Sequence, residues 1–119
     1  MPIVIIIERD DAIAEILHFC MRDAGFDPLR FSDIPEFNQI NWQEVALVLI
    51  DHYPGLSTTA MFSAKVKGIL RADPIPVMLL STNFKLPEIS RLAQADDYLE
   101  KPFDLDVLMA KVRTLTAIK

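Results

Sequence analysis

The sequence holds a single cysteine in 119 residues, so no intramolecular disulfide can form and packing must hold the fold together. That usage suits a reducing compartment and predicts a cytoplasmic protein. Glycine is also scarce: the three, at positions 25, 55 and 68, are too scattered to make a phosphate-cradling loop, which argues against an enzyme. Two histidines, His18 and His52, cannot build a histidine metal cluster. Long apolar runs are missing as well. The amino-terminal run from Ile3 to Ile7 stops at Glu8, far short of a membrane span or a signal-peptide core. Positive charge is in deficit, with 12 Lys and Arg against 17 Asp and Glu and a formal net charge of -5. An acidic chain has no electrostatic reason to dock on nucleic acid or anionic lipid, so neither is expected as a direct partner.

What is present is a regular alternation. Half of the residues are hydrophobic, 51%, enough for one core in a chain of single-domain length. Ile3 to Ile7, Val45 to Ile50 and Val77 to Leu80 are solid apolar runs, as expected for strands covered on both faces of a parallel sheet. Leu29 to Phe31 and Tyr98 to Leu99 predict two shorter strands. Between them Ile13, Ile16, Leu17, Cys20, Met21 and Ala24 recur at helical spacing before Gly25, with Cys20 placed in the core. Phe62, Val66, Ile69 and Leu70 make a second stripe. Leu105, Leu108, Met109, Val112 and Leu115 make another, capped by Asp104. Ser32 to Glu44 and Glu88 to Gln94 predict brief helical segments, and Trp42 an anchor for a loop against the sheet edge. Five strands alternating with five helices predict a mostly parallel sheet, wound on both faces by right-handed crossovers.

Ligand chemistry in such sheets gathers beyond the carboxyl ends of the strands. Those ends carry Glu8, Arg9 and Asp10, then Asp51, Ser81 and Lys101. The segment Ala95-Asp96-Asp97-Tyr98-Leu99-Glu100-Lys101-Pro102-Phe103-Asp104 adds the most specific signal. Two further pieces are Leu70-Arg71-Ala72-Asp73-Pro74 leading into Pro76-Val77-Met78-Leu79-Leu80-Ser81, and Asp51 ending an apolar strand. Over essentially its whole length the chain resembles response-regulator receiver domains of two-component systems. That resemblance implies a flavodoxin-like five-stranded parallel sheet of order 2-1-3-4-5, doubly wound, with residues 1–119 forming one receiver domain and no output domain. It implies that Asp51 accepts a phosphoryl group from a histidine kinase or phosphotransfer protein, and that Glu8 helps hold Mg²⁺. Lys101 would pair with a phosphoryl oxygen and Ser81 would donate to another. Tyr98 resembles the aromatic whose rotamer follows Ser81, and Pro102 would follow a cis bond that aims Lys101 inward. A downstream protein partner is implied, and a homodimer is left open.

Three departures bear on that chemistry. Where the family has two adjacent acids after the first strand, this chain has Glu8 and Arg9. A fixed positive charge about 4 Å from a metal site costs roughly 4 kcal/mol per unit charge at an effective dielectric of about 20, and twice that for a divalent ion. Asp10 is the candidate substitute ligand, although register assigns it to the turn entering the helix. After Asp51 only His52 and Tyr53 precede Pro54, where the family has three residues. The stretch from Ser81 to Tyr98 is short and lacks the glycine usual near Ala95, which alters a partner-binding face. Two readings follow. In one, Asp51 is a working phosphoacceptor. In the other, the chain is a degenerate receiver that binds proteins without phosphorylation, with Arg9 in the cation position and paired with Asp51. A cofactor binder of the same architecture is a distant third.

Overall fold

A computed structural model describes residues 1–51, 56–82 and 86–117. The three apolar runs become β1 (Ile3–Ile7), β3 (Val45–Asp51) and β4 (Val77–Ser81). They occupy the middle of the sheet because they have no polar face to give to water; Val4 to Ile7, Leu47 to Ile50 and Val77 to Leu80 are all fully buried. β2 (Asp27–Phe31) and β5 (Asp97–Glu100) are the edges, and all neighbours pair parallel in the order β2-β1-β3-β4-β5. Pro28 lies in β2, where an edge strand tolerates a residue with no ladder donor.

Alternation along the strands divides the core into two layers. Val4, Ile6, Leu47, Leu49, Met78, Leu80 and Leu99 pack with Leu17 and Met21 of α1 (Asp11–Asp23) and with Leu108 and Val112 of α4 (Leu105–Leu115). Ile5, Ile7, Val48, Ile50, Val77 and Leu79 face the other way, toward α2 (Leu56–Lys67), α3 (Leu86–Leu92) and the crossover between β2 and β3. Both α1 and α4 are capped by an aspartate. The Asp10 carboxylate accepts from the Ile13 amide at 3.0 Å, and the Asp104 carboxylate accepts from the Asp106 amide at 2.7 Å. Among the described residues no helix is long and apolar enough to cross a membrane.

The alternation departs from expectation in the crossover. Instead of an α-helix, residues 32–44 hold two single 3₁₀ turns, Phe37–Gln39 and Trp42–Glu44. Ile34, Phe37 and Ile40 recur every third residue, a period that suits a three-residue turn and not the 3.6 of an α-helix, and Pro35, Asn38 and Asn41 are poor helix formers. Trp42 packs under the sheet's face; the helix that carries Phe62 and Val66 ends at Lys67 before Gly68, so Ile69 still packs against the core but Leu70 is exposed. Ile16, assigned to the apolar stripe of α1, is 46% exposed.

The glycine missing near Ala95 leaves a physical trace. Gln94, just past α3, sits at φ 58°, the left-handed region that a glycine takes without steric cost. Its amide donates to the Arg91 carbonyl at 3.1 Å and the Ala95 amide to the Ser90 carbonyl at 2.9 Å, so the turn ends the helix as a glycine would. Gln94→Gly is expected to stabilise the fold by up to about 1 kcal/mol, the steric cost of a side chain in this region less the entropy glycine adds to the unfolded chain. Urea denaturation of the two proteins checks this; a lower midpoint for the glycine variant would contradict it.

Candidate functional site

The carboxyl ends of β1, β3 and β5 bring Glu8, Asp51 and Lys101 together, and the alternation decides that these three meet. Glu8 continues the parity of Val4 and Ile6, Asp51 that of Leu47 and Leu49, and Lys101 that of Leu99, so all three point to the α1 and α4 side. The result is a buried triad. The Lys101 ammonium donates to Glu8 Oε1 at 2.6 Å and to Asp51 Oδ1 at 2.7 Å. Glu8 is 1% exposed and Asp51 8%. Ser81 ends β4, also buried, and its carbonyl accepts from the Lys101 amide at 2.8 Å, which fixes where the lysine leaves the sheet. The bond between Lys101 and Pro102 is cis, as expected. Ser81 and Tyr98 carry the opposite parity, and half-buried Tyr98 packs against the layer that holds Val77 and Leu79.

Burial dominates the electrostatics of Glu8. It pushes the carboxyl above its ordinary value of 4.5, and the charge on Asp51 adds to the rise, against the hydrogen bonds from Lys101 and the Asp10 amide. For Lys101 burial pulls the ammonium down, but the hydrogen bonds to Asp51 and Glu8 more than offset it and leave the pKa above 10.5. At neutral pH the ammonium is therefore a fixed cation between two carboxylates.

Arg9 does not pair with Asp51. Its guanidinium turns outward to Asp33 Oδ2 at 3.7 Å, with the two side chains 58% and 70% exposed, and Asp51 is held by Lys101 instead. The reason is geometric: Arg9 has the opposite parity to Glu8 at the end of β1. At 58% exposure its charge is screened by water. Asp10 does not join the carboxylates either, because its side chain caps α1. Among the described residues no group of three or more His, Cys, Asp or Glu could hold a metal ion. The donor chemistry still fits Mg²⁺, which commonly takes one or two carboxylates and fills its shell with water and phosphate oxygens; Glu8 and Asp51 supply such a pair. His52, Tyr53 and Pro54, the shortened loop after Asp51, lie outside the described residues.

One residue at the site escaped the sequence reading. Arg30 of β2 donates from Nε and Nη2 to the Glu8 carbonyl at 3.1 and 2.7 Å and from Nη2 to Asp11 Oδ1 at 2.9 Å. An arginine near the carboxyl end of an otherwise mostly apolar edge strand, beside the strand that leads into Glu8, was the available signal.

No protein-family model matches the chain. Among curated proteins it is 33% identical to the DNA-binding dual master transcriptional regulator RpaA of Synechocystis, over 97% of this chain and 49% of RpaA. It is 29% identical to the DNA-binding response regulator MtrA of Mycobacterium leprae, over 92% of this chain and 49% of MtrA. The chain thus spans about half the length of the curated relatives it matches. A crystal structure of a response regulator receiver protein from Burkholderia phymatum superposes with a TM-score of 0.82 at 20% identity, covering 100% of this chain and 98% of that one. Over nearly its whole length the chain is thus similar in sequence to response regulators, and it has the fold of their receiver domains.

Proposed function

We propose that Asp51 is the phosphoacceptor of this receiver. The observation that carries the proposal is the Asp51 carboxylate, buried at the end of β3 and held at 2.7 Å by a lysine ammonium. The donor would be a phosphohistidine on a histidine kinase or phosphotransfer protein. An Asp51 oxygen attacks phosphorus, the P–N bond breaks, and the imidazole leaves. Both reacting groups are anionic, so transfer requires positive charge at the crevice. Lys101 supplies one such charge and would shift from the carboxylates to a phosphoryl oxygen. Glu8 and Asp51 would hold Mg²⁺, whose contribution when bound is to neutralise the transferred oxygens. Ser81, buried at the end of the adjacent strand, would donate to another phosphoryl oxygen, and Tyr98 would follow Ser81 on the same face. The phosphorylation-independent reading placed Arg9 in the cation position, and the Arg9 guanidinium lies 3.7 Å from Asp33 instead.

Incubating the chain with Mg²⁺ and phosphoramidate is expected to add one phosphoryl group by intact mass, and Asp51→Asn is expected to abolish the gain. A beryllofluoride complex that changes Trp42 fluorescence would report the same site without covalent chemistry. An unchanged mass with the wild-type chain, or a gain that survives Asp51→Asn, would overturn the assignment.

A further inference from the structure

Glu8 is held at every polar atom. Its amide donates to the Phe31 carbonyl at 3.0 Å, Oε1 accepts from Lys101 at 2.6 Å, and Oε2 accepts from the Asp10 amide at 3.2 Å. The remaining atom, its carbonyl oxygen, takes two hydrogen bonds from the Arg30 guanidinium, at 3.1 and 2.7 Å. The same Nη2 lies 3.4 Å from the Arg9 carbonyl. Arg30 therefore closes the turn from β1 into α1 from outside, while Lys101 holds the Glu8 carboxylate from inside. The pair with Asp11 contributes little, because the Asp11 side chain is 91% exposed. The carbonyl contacts are different: Arg30 is 28% exposed, and a guanidinium spans two acceptors with fixed geometry.

We infer that Arg30 is a positioning residue for the phosphoryl-transfer pocket, fixing the backbone of Glu8 so that its carboxylate faces Lys101 and Asp51. The inference rests on the reading of Asp51 as phosphoacceptor. Misplacing a group by about 1 Å can slow a reaction on the order of 100-fold. With Mg²⁺ and phosphoramidate, Arg30→Met is expected to slow phosphoryl uptake by on the order of 10- to 100-fold. Arg30→Lys, which keeps a donor near the carbonyl, is expected to recover part of the rate, and Asp11→Asn to stay close to wild type. A second readout separates positioning from the chemistry: the ¹³C resonance of the Glu8 carboxyl and its contact with the Lys101 ammonium, followed by NMR. In Arg30→Met that resonance should move and the contact weaken while the urea midpoint shows a folded chain. Uptake and resonance both unchanged in Arg30→Met, or an Asp11→Asn variant as slow as Arg30→Met, would overturn the inference. If the wild-type chain takes up no phosphoryl group, the reading of Asp51 fails, and the NMR arm still decides the role of Arg30: a moved Glu8 resonance supports it, and an unmoved one overturns it.

Discussion

Replacing Lys101 with methionine is expected to destabilise the fold by about 3–5 kcal/mol at neutral pH, the cost of leaving a buried charge without its partner. Here there would be two such charges, Glu8 at 1% exposure and Asp51 at 8%, where one ammonium now satisfies both. The pH dependence gives the prediction its signature. Burial already raises the Glu8 pKa above its ordinary value of 4.5. An acid whose folded pKa lies above its unfolded value binds its proton more tightly in the fold. Ionisation therefore opposes folding, and stability is recovered as pH falls through the folded pKa, completely so below the unfolded one. Without Lys101 the rise grows, so the deficit of Lys101→Met should shrink steadily on acidification toward pH 4.5. The lysine has the opposite arm. Its pKa lies above 10.5, so its contribution is fully present below that value and is lost as pH rises through the folded pKa. Urea denaturation at neutral and acidic pH measures the difference. Adding Glu8→Gln to Lys101→Met removes one of the two stranded charges and should restore part of the loss. A deficit equal at both pH values would mean that the triad is not what the substitution disturbs.

The triad also shows how far the site could be read from the sequence. Glu8, Asp51 and Ser81 were legible because each is the first polar residue after an apolar run, Lys101 because it closes the segment after Tyr98-Leu99-Glu100, and a parallel sheet brings such ends together. What the sequence reading did not use was parity. Counting in twos from Leu99 to Lys101, from Leu49 to Asp51 and from Ile6 to Glu8 places those three on one side and Arg9 on the other. Without that count, one of the two readings paired Arg9 with Asp51, whereas Arg9 reaches Asp33 in the loop after β2. Arg30 was harder to foresee, since its role depends on which strand lies beside β1, and that neighbour is fixed by the sheet order, not by local pattern. Most of the fold was legible for the complementary reason: strands buried on both faces and amphipathic α1 and α4 carry their burial in their own residues. The crossover between β2 and β3 does not, and a brief helix was expected where two 3₁₀ turns stand.

That crossover supplies the second large expected effect, in Trp42→Ala. In place of a helix the segment is held by an aromatic cluster: Trp42 stacks on Phe37 with centroids 4.9 Å apart and meets Phe62 of α2 at 5.9 Å, and its indole Nε1 donates to the Phe37 carbonyl at 2.8 Å. Arg71 locks the exit, donating from Nη1 to the carbonyls of Trp42 and Val45 at 2.8 and 2.6 Å, so the cluster sits directly before β3, the strand that delivers Asp51. Truncating a buried tryptophan costs about 3–5 kcal/mol through lost burial and the cavity left behind. Trp42 is 8% exposed, and the 3₁₀ turns have no helical hydrogen-bond ladder to hold the segment once the ring is gone. Trp42→Ala is therefore expected to fall in that range by urea denaturation followed by circular dichroism. Trp42→Phe should keep the stack on Phe37 and recover more than half of the loss, leaving a residue of about 1 kcal/mol for the indole hydrogen bond. A crossover stabilised chiefly by its backbone turns would instead make the alanine and phenylalanine variants nearly equal, both within about 1 kcal/mol of wild type.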